Sequence, residues 1–205
     1  MLAEYAREHS ASVTVIPTCV DTRREVPHTV HNGPVTVGWT GSWNTAPELE
    51  LLRSVLPELA GRIDLHVLLI GGRNAGDYLR SDSCVETRPW SLAAEEEFLD
   101  AIDIGLMPLY ETPWNRGKCA YKLNQFMSAG VPYVASPVGM NVSVTAESGG
   151  GILADTQQQW LDALERLATD EELRMAMGRA GRSFAQKNLD YKVHVPTILS
   201  IIGEQ

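Results

Sequence analysis

The chain has 205 residues, 44% hydrophobic and 21% charged, enough to bury a full core in one large domain. A formal net charge of −9 and a sequence pI near 5.0 argue against a general binder of nucleic acid or anionic membranes, so any anion site must be local. Three cysteines, Cys19, Cys84 and Cys119, make no C-x-x-C pair, so neither a disulfide framework nor a zinc site is indicated and a reducing cytoplasm is expected.

The opening MLAEYAREHSAS holds no apolar signal-peptide core, and residues 2 to 9 are predicted as a short helix. No later run approaches the roughly 20 apolar residues that a membrane span requires. Val13 to Ile16 reads as a brief extended run before the turn-prone PTCVD at 17 to 21. Thr22 to Pro34 is expected to be loop. Within it, His28 and His31 form an H-x-x-H with no nearby third ligand, which reads as loop polarity rather than a metal site.

Regular patterning begins at Val35. Strands are predicted at 35 to 39, 65 to 72, 84 to 90, 104 to 109, 132 to 136 and 150 to 154. Between them lie an amphipathic helix at 47 to 60, despite Pro57, and a short helix or loop from Ala75 to Arg80. A Ser-capped helix follows at 91 to 102, then another from Lys118 to Ala129, stopped by Gly130-Val131-Pro132. Helices at 156 to 168, 170 to 188 and near Val195 to Ile202 close the chain.

Short apolar strands alternating with amphipathic helices indicate right-handed βαβ units. The fold class is α/β: one Rossmann-like, doubly wound parallel sheet of about six strands with helices on both faces. Ligands of such sheets bind at the carboxyl ends of the strands. The loops there run from Trp39 to Asn44, Gly71 to Asn74, Arg88 to Ser91, Pro108 to Gly117 and Ser136 to Asn141.

The least ordinary stretch is PWNRGKCAYKLNQFMSAGVPYVASPVG, from Pro113 to Gly139. At 100° per residue Cys119, Ala120, Leu123, Phe126 and Met127 share one arc, while Lys118, Lys122 and Gln125 share the opposite one. Two lysines four residues apart repel each other, so an anion between them would explain the pairing. The helix N-terminus at Lys118 adds to that preference. The bland alternative is a solvated basic face.

Other motifs are weaker. GWTGSW at 38 to 43 and GGRNAG at 71 to 76 lack the dinucleotide spacing G-x-G-x-x-G, and tight turns explain both equally well. Gly117-Lys118 is no P-loop, because Thr112 stands where its first glycine belongs and Cys119 where Ser or Thr is required. Neither G-x-S-x-G nor H-E-x-x-H occurs. Trp39, Trp43, Trp90 and Trp114 lie in or beside the strand-end loops, where flat rings suit a nucleobase or a sugar face as well as a core. Arg73, Arg88 and Arg116 are surface charges or, gathered with the two lysines, the wall of a positive pocket.

Asp103 to Asn141 resembles the C-terminal domain of GT-B glycosyltransferases, most closely the large retaining family that uses nucleotide-sugar donors. The resemblance rests on Asp103 and Pro108, five residues apart at a strand end, and on the helix end Gln125-Phe126-Met127-Ser128-Ala129-Gly130-Val131-Pro132. IPTCVD at 16 to 21 is similar to that family's interdomain junction, VGWTGS at 37 to 42 to its first strand and phosphate loop, and LLIGG at 68 to 72 to its second strand. WLDALERLATDEELRMAMGRAGR at 160 to 182 is similar to its closing helices.

The resemblance implies a hexosyl transfer from a nucleoside-diphosphate sugar to a saccharide, lipid or small-molecule acceptor, without metal or cofactor. It implies residues 1 to 21 as interdomain linker, 22 to 188 as donor-binding domain and 189 to 205 as a C-terminal helix, with the N-terminal domain missing by truncation, gene splitting or deliberate excision. The C-terminal helix crosses back to that domain in full-length relatives, and here it packs differently or mediates self-association into a homo-oligomer. A cytoplasmic location follows, at the membrane periphery in some full-length enzymes.

Lys118 and Lys122 are the expected catalytic groups, holding the diphosphate. Gly41, Ser42, Arg73, Trp90, Arg116, Gly117 and Gln125 are the expected substrate contacts. The chain departs from the family where two glutamates stand eight residues apart, with seven residues between them: here those positions are Gly117 and Gln125. Gln125 keeps a group for ribose hydroxyls, whereas Gly117 has none for a sugar. The basic residues usual in the first loop are absent from Gly38 to Pro47. The alternative reading is a non-catalytic binding or interaction module.

Overall fold

Six strands form a single parallel sheet in the computed structural model, which describes residues 2–22, 33–79 and 84–203. They are β1 (Val35–Gly41), β2 (Leu65–Gly71), β3 (Val85–Arg88), β4 (Ile104–Met107), β5 (Tyr133–Ala135) and β6 (Gly151–Leu153), in the order β3-β2-β1-β4-β5-β6. Every pairing is parallel, from Val35 against Leu65 to Ala135 against Leu153. The order reverses between β1 and β4, and that switch opens a crevice at the carboxyl ends of the strands.

The helices are α1 (Leu2–His9), α2 (Val55–Ala60), α3 (Leu92–Ala101), α4 (Pro113–Arg116), α5 (Tyr121–Ala129), α6 (Met140–Ser148), α7 (Gln157–Thr169), α8 (Glu171–Asn188) and α9 (Tyr191–Gly203). Val37, Trp39, Val67, Leu69, Ile104 and Leu106 pack with α2 and α7 on one side of the sheet. Leu68, Ile70, Met107, Tyr133 and Ala135 pack with α3 and α5 on the other. Cover on both faces explains why the central strands read as continuous apolar runs.

Paired glycines bring α3 and α5 onto the sheet. Gly38 lies beside Gly105 across the β1–β4 pair. A Cβ at Gly38 would come within 2.6 Å of the Phe98 ring, and one at Gly105 within 2.5 Å of the Phe126 ring. The two rings, 6.4 Å apart, therefore sit directly on the switch point and fix the helix that carries Lys122.

Several boundaries differ from the sequence reading. The helix expected at 47 to 60 is a 3-10 segment, Ala46–Leu52, followed by α2. Pro57 lacks an N–H and its ring obstructs the carbonyl four residues earlier, at Arg53, so one helix cannot run through. Val13 to Ile16 forms no strand. Instead Val20 N–H donates to the Leu189 carbonyl at 2.9 Å and Asn124 Nδ2 to the Thr18 carbonyl at 2.9 Å. The Thr22 hydroxyl donates to the Asp190 carboxylate. The segment before residue 22 is thereby tied to α5 and to the α8–α9 junction. Helix α6 was not expected; His28 and His31 lie outside the described residues. Among the described residues no helix is long and apolar enough to cross a membrane.

Candidate functional site

A cavity of about 1110 Å³ opens at the carboxyl ends of β1 to β4. Its wall contains Gly41, Ser42, Trp43, Gly71 to Asn74, Thr87 to Trp90, Glu95, Gly117 to Cys119, Tyr121, Lys122 and Gln125. The turn after β2 depends on glycine: Gly71 has φ +76, and a Cβ there would lie 2.4 Å from the Gly41 carbonyl oxygen. That turn carries Arg73 to the rim.

Of the residues singled out in the sequence, Gly41, Ser42, Arg73, Trp90, Gly117, Lys118, Lys122 and Gln125 meet in this one cavity. Arg116 does not line it. Its guanidinium pairs with Glu111 on the exposed side of α4, and only its backbone packs inward, against Gly139. Arg88 reaches the wall but donates to Glu86 at 2.6 Å. Trp39 is a core residue, 1% exposed, because β1 runs two residues further than its apolar pattern suggested. Trp43 and Trp90 are exposed and line the cavity, whereas Trp114, 81% exposed, lies away from it.

The lysines are placed differently from the expected helical stack. Helix α5 starts at Tyr121, after Ala120 in a left-handed conformation with φ 55, so Lys118 precedes the helix instead of occupying its first turn. Cys119, expected on the buried arc, is exposed for the same reason. Both lysines nevertheless line one cavity and are half-buried. Burial depresses the pKa of Lys118, with Glu48 opposing the effect. Lys122 falls to about 8, first through burial and then through the neighbouring Lys118 charge, against the pull of Glu48 and Glu95. The Lys122 ammonium lies 5.6 Å from the Trp39 ring centroid, a favourable cation–π contact that leaves its charge unneutralised.

Two carboxylates escaped the sequence reading. Glu48 is buried in the 3-10 segment after β1 and accepts from Tyr110 N at 2.6 Å and Asn115 Nδ2 at 2.8 Å. Its third neighbour is the Lys118 ammonium at 3.9 Å. Glu95, in the first turn of α3, accepts from Trp90 Nε1 at 3.1 Å and Gln125 Nε2 at 3.0 Å. In sequence both look like acids that complement a helix dipole, and no other signal marks them.

The wall thus offers two desolvated ammonium groups, an arginine, flat rings and backbone turns, an arrangement suited to a multiply charged anion attached to a planar or sugar moiety. Among the described residues no group of three or more His, Cys, Asp or Glu is placed to hold a metal ion.

Comparison with known proteins agrees with the architecture. No curated protein sequence matches the chain. Among solved structures, sucrose-phosphate synthase from Thermosynechococcus elongatus superposes with a TM-score of 0.76 at 16% identity, covering 98% of this chain and 55% of that one. HepE from Anabaena, solved with UDP and glucose, gives 0.69 at 13% identity over 84% of this chain and 49% of its own. The C-terminal domain of LpcC from Francisella tularensis, a glycosyl transferase group 1 protein, gives 0.57 at 16% identity over 83% and 98%. The chain spans about half the length of the first two proteins. At these identities the likeness establishes the fold. The family is established by sequence: the family model for glycosyl transferases group 1 matches residues 34–170, so the chain belongs to the group 1 glycosyl transferases.

Proposed function

We propose that this chain is the donor-binding domain of an enzyme that transfers a hexosyl group from a nucleoside-diphosphate sugar to a saccharide, lipid or small-molecule acceptor. The observation that carries the reading is the Lys118 and Lys122 pair. Two like charges, partly desolvated and side by side at the strand-order switch, are a costly arrangement that a bound diphosphate relieves. The same charges favour the diphosphate more strongly as it departs with its full negative charge, so in this chemistry binding and catalysis share residues.

In this reading the base lies against Thr87 to Trp90, the ribose near Gln125 and the phosphates over Lys118 and Lys122, with Arg73 and the Gly41-Ser42 turn on the facing wall. The HepE complex with UDP and glucose supports the ligand class. A second Rossmann-like domain, in the same or another polypeptide, would supply the acceptor side.

Titration calorimetry with UDP, GDP and ADP tests the reading. One of the three is expected to bind, and Lys118→Ala and Lys122→Ala are each expected to weaken it by about tenfold or more. Unchanged affinity in both variants overturns it. Gly117 favours a second reading, a module that binds the donor without transferring it, because the position expected to hold a sugar-contacting glutamate presents only backbone. Donor binding without turnover when the acceptor-side domain and acceptors are supplied would select that reading.

A further inference from the structure

We infer that Glu95 is a positioning residue for nucleoside recognition: its carboxylate holds Trp90 and the Gln125 carboxamide together so that the amide oxygen of Gln125 is presented to a ribose hydroxyl. The inference rests on the nucleotide-binding reading above and assigns to Glu95 a role which that reading does not require.

The three residues come from separate parts of the fold. Trp90 follows β3, Glu95 lies in the first turn of α3, and Gln125 is on α5; all three line the cavity. Glu95 uses one oxygen for each neighbour, Oε2 for the Trp90 indole N–H at 3.1 Å and Oε1 for Gln125 Nε2 at 3.0 Å. An ionised carboxylate only accepts hydrogen bonds, so the edge of the carboxamide facing it must be the NH2 edge. The amide oxygen is then on the opposite edge, and among the described residues no hydrogen bond to it is made.

Gln125 therefore turns the acceptor edge of its carboxamide away from Glu95, toward a ligand. A hydroxyl complements such a group; the C–H of a deoxy sugar does not. Trp90 is held at the same time by its N–H, with its Cβ 3.2 Å from the position a Cβ would take at Gly71, which leaves the flat ring beside the cavity. A ring face and an acceptor held at fixed separation match a nucleoside, whose glycosidic bond fixes the base relative to the sugar hydroxyls. Without Glu95 the carboxamide is free to turn either edge toward the cavity.

The test is the affinity ratio between ribonucleotide and deoxynucleotide, measured by calorimetry for UDP, GDP and ADP against their 2′-deoxy and 3′-deoxy counterparts. For the nucleotide that the wild-type chain binds, removal of one of the two hydroxyls is expected to weaken binding by about tenfold. Glu95→Ala is expected to reduce that ratio to about threefold or less while changing the affinity for the matching deoxynucleotide by less than about threefold. Gln125→Ala, which removes the oxygen itself, should reproduce the lost ratio and keeps the test decisive if Glu95→Ala does not fold. A wild-type ratio near one, or a tenfold ratio that survives either substitution, overturns the role of Glu95 and leaves nucleotide binding standing. Absence of binding by all three nucleotides to the wild-type chain overturns the underlying reading as well.

Discussion

The Glu48 carboxylate lies 3.9 Å from the Lys118 ammonium while accepting from both Tyr110 N–H and Asn115 Nδ2. Asn115 donates as well to the Tyr110 carbonyl at 2.8 Å, so one buried acid closes the connection between β4 and α5 into a fixed loop. The loop delivers Lys118, and the acid that shapes it also opposes the loss of charge on that lysine.

Glu48→Ala leaves the Tyr110 N–H and one of the two Asn115 Nδ2 N–H groups without their acceptor, at a cost of about 2 to 3 kcal/mol in total. For a domain of this size that corresponds to a fall in Tm of about 4 to 12 °C. Differential scanning calorimetry should show it. At a temperature where the variant remains folded, its nucleotide affinity should also fall, because Lys118 is no longer held at the cavity.

Lys122→Met is expected to have opposite effects on stability and on binding. The methionine keeps the length and apolar stem of the side chain, fills the same space above Trp39, and removes a charge whose burial the fold opposes. The variant should melt about 2 to 8 °C higher than the wild type, corresponding to about 1 to 2 kcal/mol. It should also lose the thermal shift that a bound nucleotide gives the wild type. A gain in stability accompanied by loss of ligand is the mark of a residue kept for binding. A lower Tm would show that the Trp39 contact outweighs the burial cost.

The doubly wound parallel sheet, the glycine turns and the gathering of most candidate residues into one crevice were legible in the sequence, because strands covered on both faces leave long apolar runs that periodicity detects. Helix α6 was not. Its β-branched Val142, Val144 and Thr145 weaken helix propensity, and only packing and the Gly139 and Gly149 ends reveal it. The lysine geometry was misread for a related reason. Counting 100° per residue from Lys118 assumes that the helix has already begun, whereas the left-handed Ala120 interrupts the chain just before α5. Glu48 and Glu95 remained hidden because a first-turn acid that organises a site has the same sequence signature as one that merely faces a helix dipole.

Proton linkage follows from Lys122. Its folded pKa of about 8 lies below the unfolded value, so the unfolded chain binds more protons between about pH 8 and 10.5. Stability contributed by this group therefore rises with pH through that window, and below pH 8 the full cost of burying the charge is present. A diphosphate favours the charged lysine and raises its pKa. At pH 8.5 nucleotide binding should take up roughly half a proton or more, and affinity should decline as pH rises further. Calorimetry in buffers of different ionisation enthalpy measures the uptake, and Lys122→Met should abolish most of it.

Cys119 reports on occupancy of the same cavity. It lies between Lys118 and the start of α5, exposed on the cavity wall, whereas Cys19 and Cys84 are half-buried. N-Ethylmaleimide should modify Cys119 first, a preference set by access. A nucleotide whose phosphates rest on Lys118 covers this thiol, so the cognate nucleoside diphosphate at saturating concentration should slow the first labelling event by about tenfold, in proportion to the fraction of sites left empty. Peptide mass spectrometry over a time course identifies the modified residue, and Cys119→Ser should remove the fast phase. Labelling of Cys119 at an undiminished rate under saturating nucleotide would place the phosphates elsewhere in the cavity, away from the Lys118 side of the wall.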